Sequence, residues 1–251
     1  MKLNKIDDAL YVSPIEGFSE LADTYDARIS NSPVLDLEGI AVMAALPNDL
    51  GPGHRIADYG CGTGRSALLL AQRGPKVVVG IDLAPPMIAV AARKARRADL
   101  PIHWHVGDLL GSLPLPDASI DVGACTFALS FVPDVRPAFA EMARTLAPGG
   151  ILLVSDYHPC GLFTARVTSR AKLANDHAPY FGFTSASGEE CRIIQTPHTT
   201  ADLFTAATRA GLTLEHISEP LVDHELASSY GSRWRDRIGT PLVLAMRFRK
   251  N

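Results

Sequence analysis

Between about residues 52 and 157, short apolar runs alternate with stretches of helical periodicity, the pattern of βα units that feed a parallel sheet. The apolar runs cover 55–59, 76–82, 102–106, 120–126 and 151–157, and helices are expected near 66–73, 86–98 and 135–146. Pro85 and Pro86 suit the first turn of a helix, where the missing N–H costs nothing. Pro148-Gly149-Gly150 is read as a turn that stops one helix and starts the next strand. A further helix is expected over 200–210, ending at Gly211 in a C′ position. Runs at 212–217 and 242–248 complete the strands, the last alternating and expected to lie antiparallel at the sheet's end. The predicted fold class is α/β. It has a doubly wound, mostly parallel seven-stranded sheet with an antiparallel last strand, helices on both faces, and a small lid or insertion after strand five.

Two segments stand outside this rhythm. Residues 158–199 mix Phe163, Tyr180, Phe181 and Phe183 with Gly, Ser and His, and a stretch that long without periodicity reads as a lid or binding insertion. The first 45 residues, with Phe18, Tyr25 and Pro33, look helical in parts and can fold over the same end of the sheet. The expected organisation is one domain over 1–251: a helical cap (1–45), a core (46–157), the lid (158–199) and a C-terminal completion of the sheet (200–251).

Composition narrows the possibilities. With 24 Lys+Arg against 27 Asp+Glu and no charge block, nonspecific binding to nucleic acid or anionic membrane is disfavoured. Cys61, Cys125, Cys160 and Cys191 are scattered, without a CxxC pair or zinc spacing, and read as reduced thiols. The N-terminal residues lack a signal-peptide apolar core, and no run approaches the roughly 20 apolar residues of a membrane span. A cytoplasmic protein is expected, acting as a monomer or homodimer with no membrane or nucleic-acid partner.

The chemistry concentrates in Asp58-Tyr59-Gly60-Cys61-Gly62-Thr63-Gly64, between a strand and a helix. Closely spaced glycines there let backbone N–H groups approach a ligand. A dinucleotide fingerprint is Gly-x-Gly-x-x-Gly with its helix aimed at a pyrophosphate. This chain has Gly-x-Gly-x-Gly and an acid two residues before the first glycine, which suits a cation better than a phosphate.

Four motifs in order carry a resemblance: Asp58 to Gly64, Gly80-Ile81-Asp82-Leu83, Gly107-Asp108-Leu109 and Leu146-Ala147-Pro148-Gly149-Gly150. The stretch resembles the class I S-adenosylmethionine-dependent methyltransferases over residues 20–157, and the remainder only in architecture. The resemblance implies S-adenosyl-L-methionine as cofactor and S-adenosyl-L-homocysteine as product. It implies that Asp82, with Leu83 and Met87 beside it, accepts from the ribose hydroxyls, and that Asp108 accepts from the adenine amine while the Leu109 N–H addresses the ring. Gly60, Cys61, Gly62 and Gly64 make room for the amino-acid tail, and Asp58 helps bind its ammonium. As isolated acids, Asp58 would read as an N-cap and Asp82 as a helix-starting residue. Tyr25-Asp26 resembles the aromatic that closes over the methionine portion, with core packing of an amphipathic helix as the other reading. Thr126 and Phe127 are expected to border the sulfonium, ahead of the helix lead-in Phe131-Val132-Pro133-Asp134.

The implied activity is in-line methyl transfer to O, N or C of a small-molecule acceptor. A second reading uses the cofactor itself as substrate, in a cyclisation or lyase reaction that releases methylthioadenosine. Tyr157, His158 and His198 are the candidate bases, since histidine titrates near neutrality and these positions fall near the expected acceptor pocket. His198 also reads as a capping or surface residue. His158 with His198 lacks a third metal ligand at a telling spacing, so no metal is expected. Of the other histidines, His103 and His105 flank Trp104 and read as structural; His54, His177, His216 and His224 have no comparable placement. Arg166, Arg170 and Lys172 either anchor an acidic substrate or are solvated helix charges.

Overall fold

A computed structural model of the chain describes residues 3–6, 9–159 and 179–251. Cys160, Phe163, Arg166, Arg170, Lys172 and His177 lie outside the described residues. The chain opens with two short strands, β1 (Leu3–Ile6) and β2 (Ala9–Val12), that the sequence pattern did not predict. Ser13 then caps α1 (Pro14–Leu21) through a full capping box with Glu16, the pairing that satisfies orphan N–H groups at a helix start. A short α2 (Tyr25–Ile29) and an apolar α3 (Pro33–Ala45) follow. The alternating core is β3 (Arg55–Tyr59), α4 (Arg65–Ala71), β4 (Val77–Asp82), α5 (Pro85–Arg97), β5 (Ile102–Val106), β6 (Ile120–Thr126), α6 (Val135–Thr145) and β7 (Leu146–Tyr157). A hairpin, β8 (Tyr180–Thr184) and β9 (Glu190–Ile194), precedes α7 (Thr200–Arg209), β10 (Leu212–Ser218), α8 (His224–Ser229) and β11 (Val243–Lys250). Gly211 ends α7 at φ +81, where an L side chain would be strained.

The main sheet has the order β10-β11-β7-β6-β3-β4-β5. The last strand in sequence, β11, is antiparallel to both neighbours, as expected. Its position differs from expectation: it is wedged between β7 and β10 rather than lying at the sheet's end. Its burial explains this, since Val243 to Met246 and Phe248 are covered on both faces, which an edge strand does not need. Pro148-Gly149-Gly150 also departs from its reading as a turn. It lies inside β7, which starts at Leu146 and shifts register against β6 between Ile120 and Val122. Gly149, at φ +73, absorbs the irregularity.

Two apolar layers flank the sheet. On one face, α6 and α7 bury Phe139, Met142, Leu203 and Ala206 against Leu152 and Phe248, with the Phe139 and Phe248 rings edge to face at 6.0 Å. On the other, α3 and α4 pack Ala45, Leu46, Ala67 and Leu70 onto Ile56, Val78 and Leu153. A second sheet, ordered β1-β2-β9-β8, unites the N-terminal segment with the expected insertion. β2 and β9 pair in parallel, Leu10 opposite Cys191. Beneath it Leu21, Met87, Val90, Phe183 and Ile193 form a third apolar cluster, which fixes this sheet over the carboxyl ends of the main strands. Cys61, Cys125 and Cys191 are free and buried. Among the described residues no helix is long and apolar enough to cross a membrane.

Candidate functional site

A cavity of about 350 Å³ opens at the carboxyl ends of β3, β4 and β6. This is the switch point of the open sheet, where strands proceed in opposite directions from β3 and a crevice remains. Its floor is the glycine loop. β3 runs fully buried to Tyr59, and the chain then turns through Gly60 at φ +69; a Cβ there would stand 2.5 Å from that of Ala128. The backbone thus passes closer to the β6 exit than any larger residue allows.

Asp82, at the end of β4, braces this loop. One carboxylate oxygen accepts the Gly62 N–H at 2.8 Å and the other the Ala84 N–H at 2.9 Å. Each oxygen retains a further lone pair toward the cavity. Burial raises its pKa, and the two N–H groups oppose that rise. Leu83 and Met87 line the same wall. Asp108 lies exposed at the rim with one oxygen accepting the Leu110 N–H at 2.9 Å, and Leu109 is buried beside it. Cys61, Gly62, Thr126 and Phe127 also line the cavity.

Asp58 sits under the loop, fully buried. Its Oδ2 accepts the Ala67 N–H at 2.8 Å, the helix-start role that an isolated acid would have, while its Oδ1 has no partner among the described residues. Burial pushes its pKa up to about 7, with the Ala67 N–H and the Arg65 guanidinium pulling it back. A raised carboxylate pKa means that the folded state holds the proton more tightly than the unfolded chain does. Its stabilising contribution is present below the ordinary value of 3.8 and lost as pH rises through about 7. Asp156, raised to about 6 by burial, acts in the same direction. Asp58→Asn is therefore expected to flatten the loss of stability between pH 4 and 7 without abolishing it. Urea unfolding across that range checks this; profiles that superimpose on wild type would count against it.

The roof comes from the N-terminal segment. Tyr25 lines the cavity and packs edge to face on Phe18 at 6.0 Å, and burial pushes its phenol up to about 12. Next to it, Asp26 accepts from the Thr63 hydroxyl at 2.5 Å and from the Lys94 ammonium at 2.7 Å, so α2 is latched to the glycine loop and to α5. Tyr25 thus both packs against its neighbours and borders the cavity. Phe127, just past β6, adopts φ +52, a conformation that a bulky L residue holds only when its surroundings enforce it. Its N–H is tied to the Ser155 carbonyl, and its ring leans on Tyr157 at 4.9 Å. Thr126 meets the Ser66 hydroxyl at 3.1 Å.

The candidate bases stand back from this space. Tyr157, His158 and His198 do not line the cavity. Burial holds the Tyr157 phenol well above its ordinary range. His158 is buried with its Nε2 3.0 Å from Glu219. His198 Nε2 donates to the Val132 carbonyl at 2.8 Å, and Val132 does line the cavity, so this histidine reaches the site through one backbone group. His103 and His105 are exposed on β5, while Trp104, on the opposite face, lies under Gly64 and Gly80. Among the described residues no cluster of His, Cys, Asp or Glu could hold a metal ion.

Two residues that sequence reasoning missed complete the wall. Arg65 lines the cavity and pairs with Glu38 at 2.9 Å. The Glu38 side chain is only 2% exposed, and its other oxygen accepts from Ser155 at 3.2 Å. The available signal was a lone carboxylate in the otherwise apolar helical run 37–45.

A sulfonium nucleoside fits these features: a buried, partnerless Asp58 oxygen, acceptor lone pairs on Asp82, and a glycine cradle that a Cβ at position 60 would fill. Comparison with known proteins agrees. Residues 57–154 match a family model described as a methyltransferase domain. A demethylmenaquinone methyltransferase of Thermus thermophilus is 40% identical over 146 residues, 57% of this chain and 64% of that protein. A malonyl-[acyl-carrier protein] O-methyltransferase of Serratia marcescens is 34% identical over 148 residues, 55% of this chain and 50% of that protein. The chain thus spans less than two thirds of the length of these curated relatives. An S-adenosylmethionine-dependent methyltransferase structure from Mesorhizobium loti shares the fold, with a TM-score of 0.65 at 24% identity over 88% of this chain and 100% of that one. Over residues 57–154, then, this chain is similar to a methyltransferase domain, and its fold is that of the methyltransferase structure from Mesorhizobium loti.

Proposed function

We propose that the protein transfers a methyl group from S-adenosyl-L-methionine to a small-molecule acceptor, releasing S-adenosyl-L-homocysteine. The observation that carries this is Asp82 braced on the glycine loop, which gives the cavity carboxylate acceptors but no phosphate cradle. Asp82 would hold the ribose, Asp108 and Leu109 the adenine, and Gly60 to Gly64 with Asp58 the amino-acid tail. The cofactor supplies an activated methyl group, which the acceptor's nucleophile takes as the C–S bond breaks and its electron pair returns to sulfur. The chain's own contribution is to orient the two reactants and exclude water, through Phe18, Tyr25 and Phe131 over the cavity. The acceptor's nucleophilic atom would enter beside Phe127, and His198 would act by fixing the Val132 carbonyl.

Calorimetric titration with S-adenosylhomocysteine tests the cofactor assignment; saturable one-to-one binding is expected. Incubation with S-adenosylmethionine alone should leave the cofactor intact. Accumulation of methylthioadenosine without an added acceptor would overturn methyl transfer in favour of a reaction on the cofactor itself.

A further inference from the structure

We infer that Arg65 is a specificity-determining residue whose guanidinium, held by Glu38, donates to the hydroxyl oxygen of an otherwise apolar, ring-shaped acceptor. This rests on the methyl-transfer reading above and names the acceptor class for that same site.

Position comes first. Asp82 and Asp108, the nucleoside side of the cavity, stand on β4 and beyond β5, to one side of β3. Arg65 leans the opposite way. Its partner Glu38 is bonded to Ser155 of β7, and Ser155 in turn accepts from Phe127. The guanidinium therefore lies over the half of the crevice that the nucleoside carboxylates leave open. Phe127, which clusters with Leu37 of α3, lines the cavity beside the helix that carries Glu38, and Ile29 and Leu35 line it as well. A flat hydrocarbon body matches such walls.

Donor capacity comes second. A guanidinium carries five N–H donors, and in Arg65 only one terminal nitrogen is engaged, by Glu38. The Arg65 side chain retains 37% exposure, although Glu38 is almost fully covered. Arg65 is also the only cationic side chain among the described residues lining the cavity. Arg65 thus borders the cavity with donors to spare, which call for an oxygen.

Charge decides which oxygen. Glu38 already balances Arg65, while Asp82 adds a further acidic group to the cavity wall. A permanently ionised acceptor such as a carboxylate would bring in a negative charge with no second side-chain cation among the described lining residues to meet it. A protonated amine gains nothing from a group that only donates. A phenolic or enolic hydroxyl enters neutral and accepts from the free guanidinium N–H groups.

The probes are 1-naphthol, naphthalene and 2-naphthoate, titrated into the protein saturated with S-adenosylhomocysteine. Wild type is expected to bind 1-naphthol about tenfold tighter than naphthalene, the lower range for a hydrogen bond to a charged donor. In Arg65→Gln that preference should fall to within about twofold, while affinity for S-adenosylhomocysteine changes less than about threefold. Because Arg65→Gln strands the Glu38 carboxylate, the double variant Glu38→Gln/Arg65→Gln serves as a charge-neutral partner and should show the same lost preference. Arg65→Lys, which keeps the charge without the fork, should fall between. Equal binding of naphthalene and 1-naphthol by wild type, or a preference that survives in both glutamine variants, overturns the proposal. So does tighter binding of 2-naphthoate, or a drop in S-adenosylhomocysteine affinity as large as the lost preference, which would assign the guanidinium to the cofactor's carboxylate. Failure of wild type to bind S-adenosylhomocysteine at all would refute the underlying methyl-transfer reading instead.

Discussion

Gly80→Ala is expected to destabilise the protein by about 3 kcal/mol, the upper range for overpacking a filled core, and to lower Tm by roughly 6–12 °C for a chain of this size. The reason is local and steric. A Cβ on Gly80 would lie 2.2 Å from Cζ3 and 2.4 Å from Cε3 of Trp104, and 3.2 Å from the Cys61 sulfur. The indole cannot swing aside, because its far edge already underlies Gly64, where a Cβ would meet Cη2 at 2.8 Å. Trp104 is thus a wedge beneath β4 and the glycine loop together. Thermal unfolding followed by circular dichroism reads the effect. Trp104→Leu on top of Gly80→Ala should recover part of the loss, giving a non-additive double-mutant cycle. A single variant that melts with wild type would show the wedge to be mobile.

Asp82→Ala should weaken binding of S-adenosylhomocysteine by about 1–3 kcal/mol, the cost of leaving hydrogen-bonding partners unpaired, or roughly 5- to 150-fold in Kd. Two losses combine. The ribose hydroxyls lose their acceptor, and the Gly62 N–H loses the carboxylate that fixes the loop at 2.8 Å. Asp82→Asn, which keeps one acceptor oxygen, should lose less. Calorimetry measures both, and an affinity unchanged in the alanine variant would remove Asp82 from nucleoside binding.

The contrast between these two sites shows what a linear reading can reach. The βα alternation, the glycine loop and the acids Asp58, Asp82 and Asp108 were legible, because each depends on neighbours within one strand–turn–helix unit. The place of β11 was not. Its alternation gives a direction, but insertion between β7 and β10 is decided by which strand needs both faces covered. β1 and β2 escaped because four-residue strands carry little periodicity, and β9, the partner of β2, lies some 180 residues away. Arg65 and Glu38 were invisible as a pair for the same reason: 27 residues separate them, and only the fold brings α3 beside the start of α4. The histidines mark a different limit. Chemical aptitude is readable from residue type, whereas engagement with Glu219 or with the Val132 carbonyl is not.

The pairing of β2 with β9 has a consequence for how the protein is made. Residues 9–12 leave the ribosome well before the strand they pair with in parallel, which is completed only at Ile194. β3 through β7, by contrast, can assemble from contiguous chain while synthesis continues, as sequential units generally do. The crevice would then exist before its roof. During that interval the apolar faces of Leu21, Met87 and Val90 await Phe183 and Ile193, and β2 presents an unpaired edge. The nascent protein is therefore most vulnerable to aggregation in the interval before β9 emerges, and a ligand seated early in the open crevice would stabilise the part already folded.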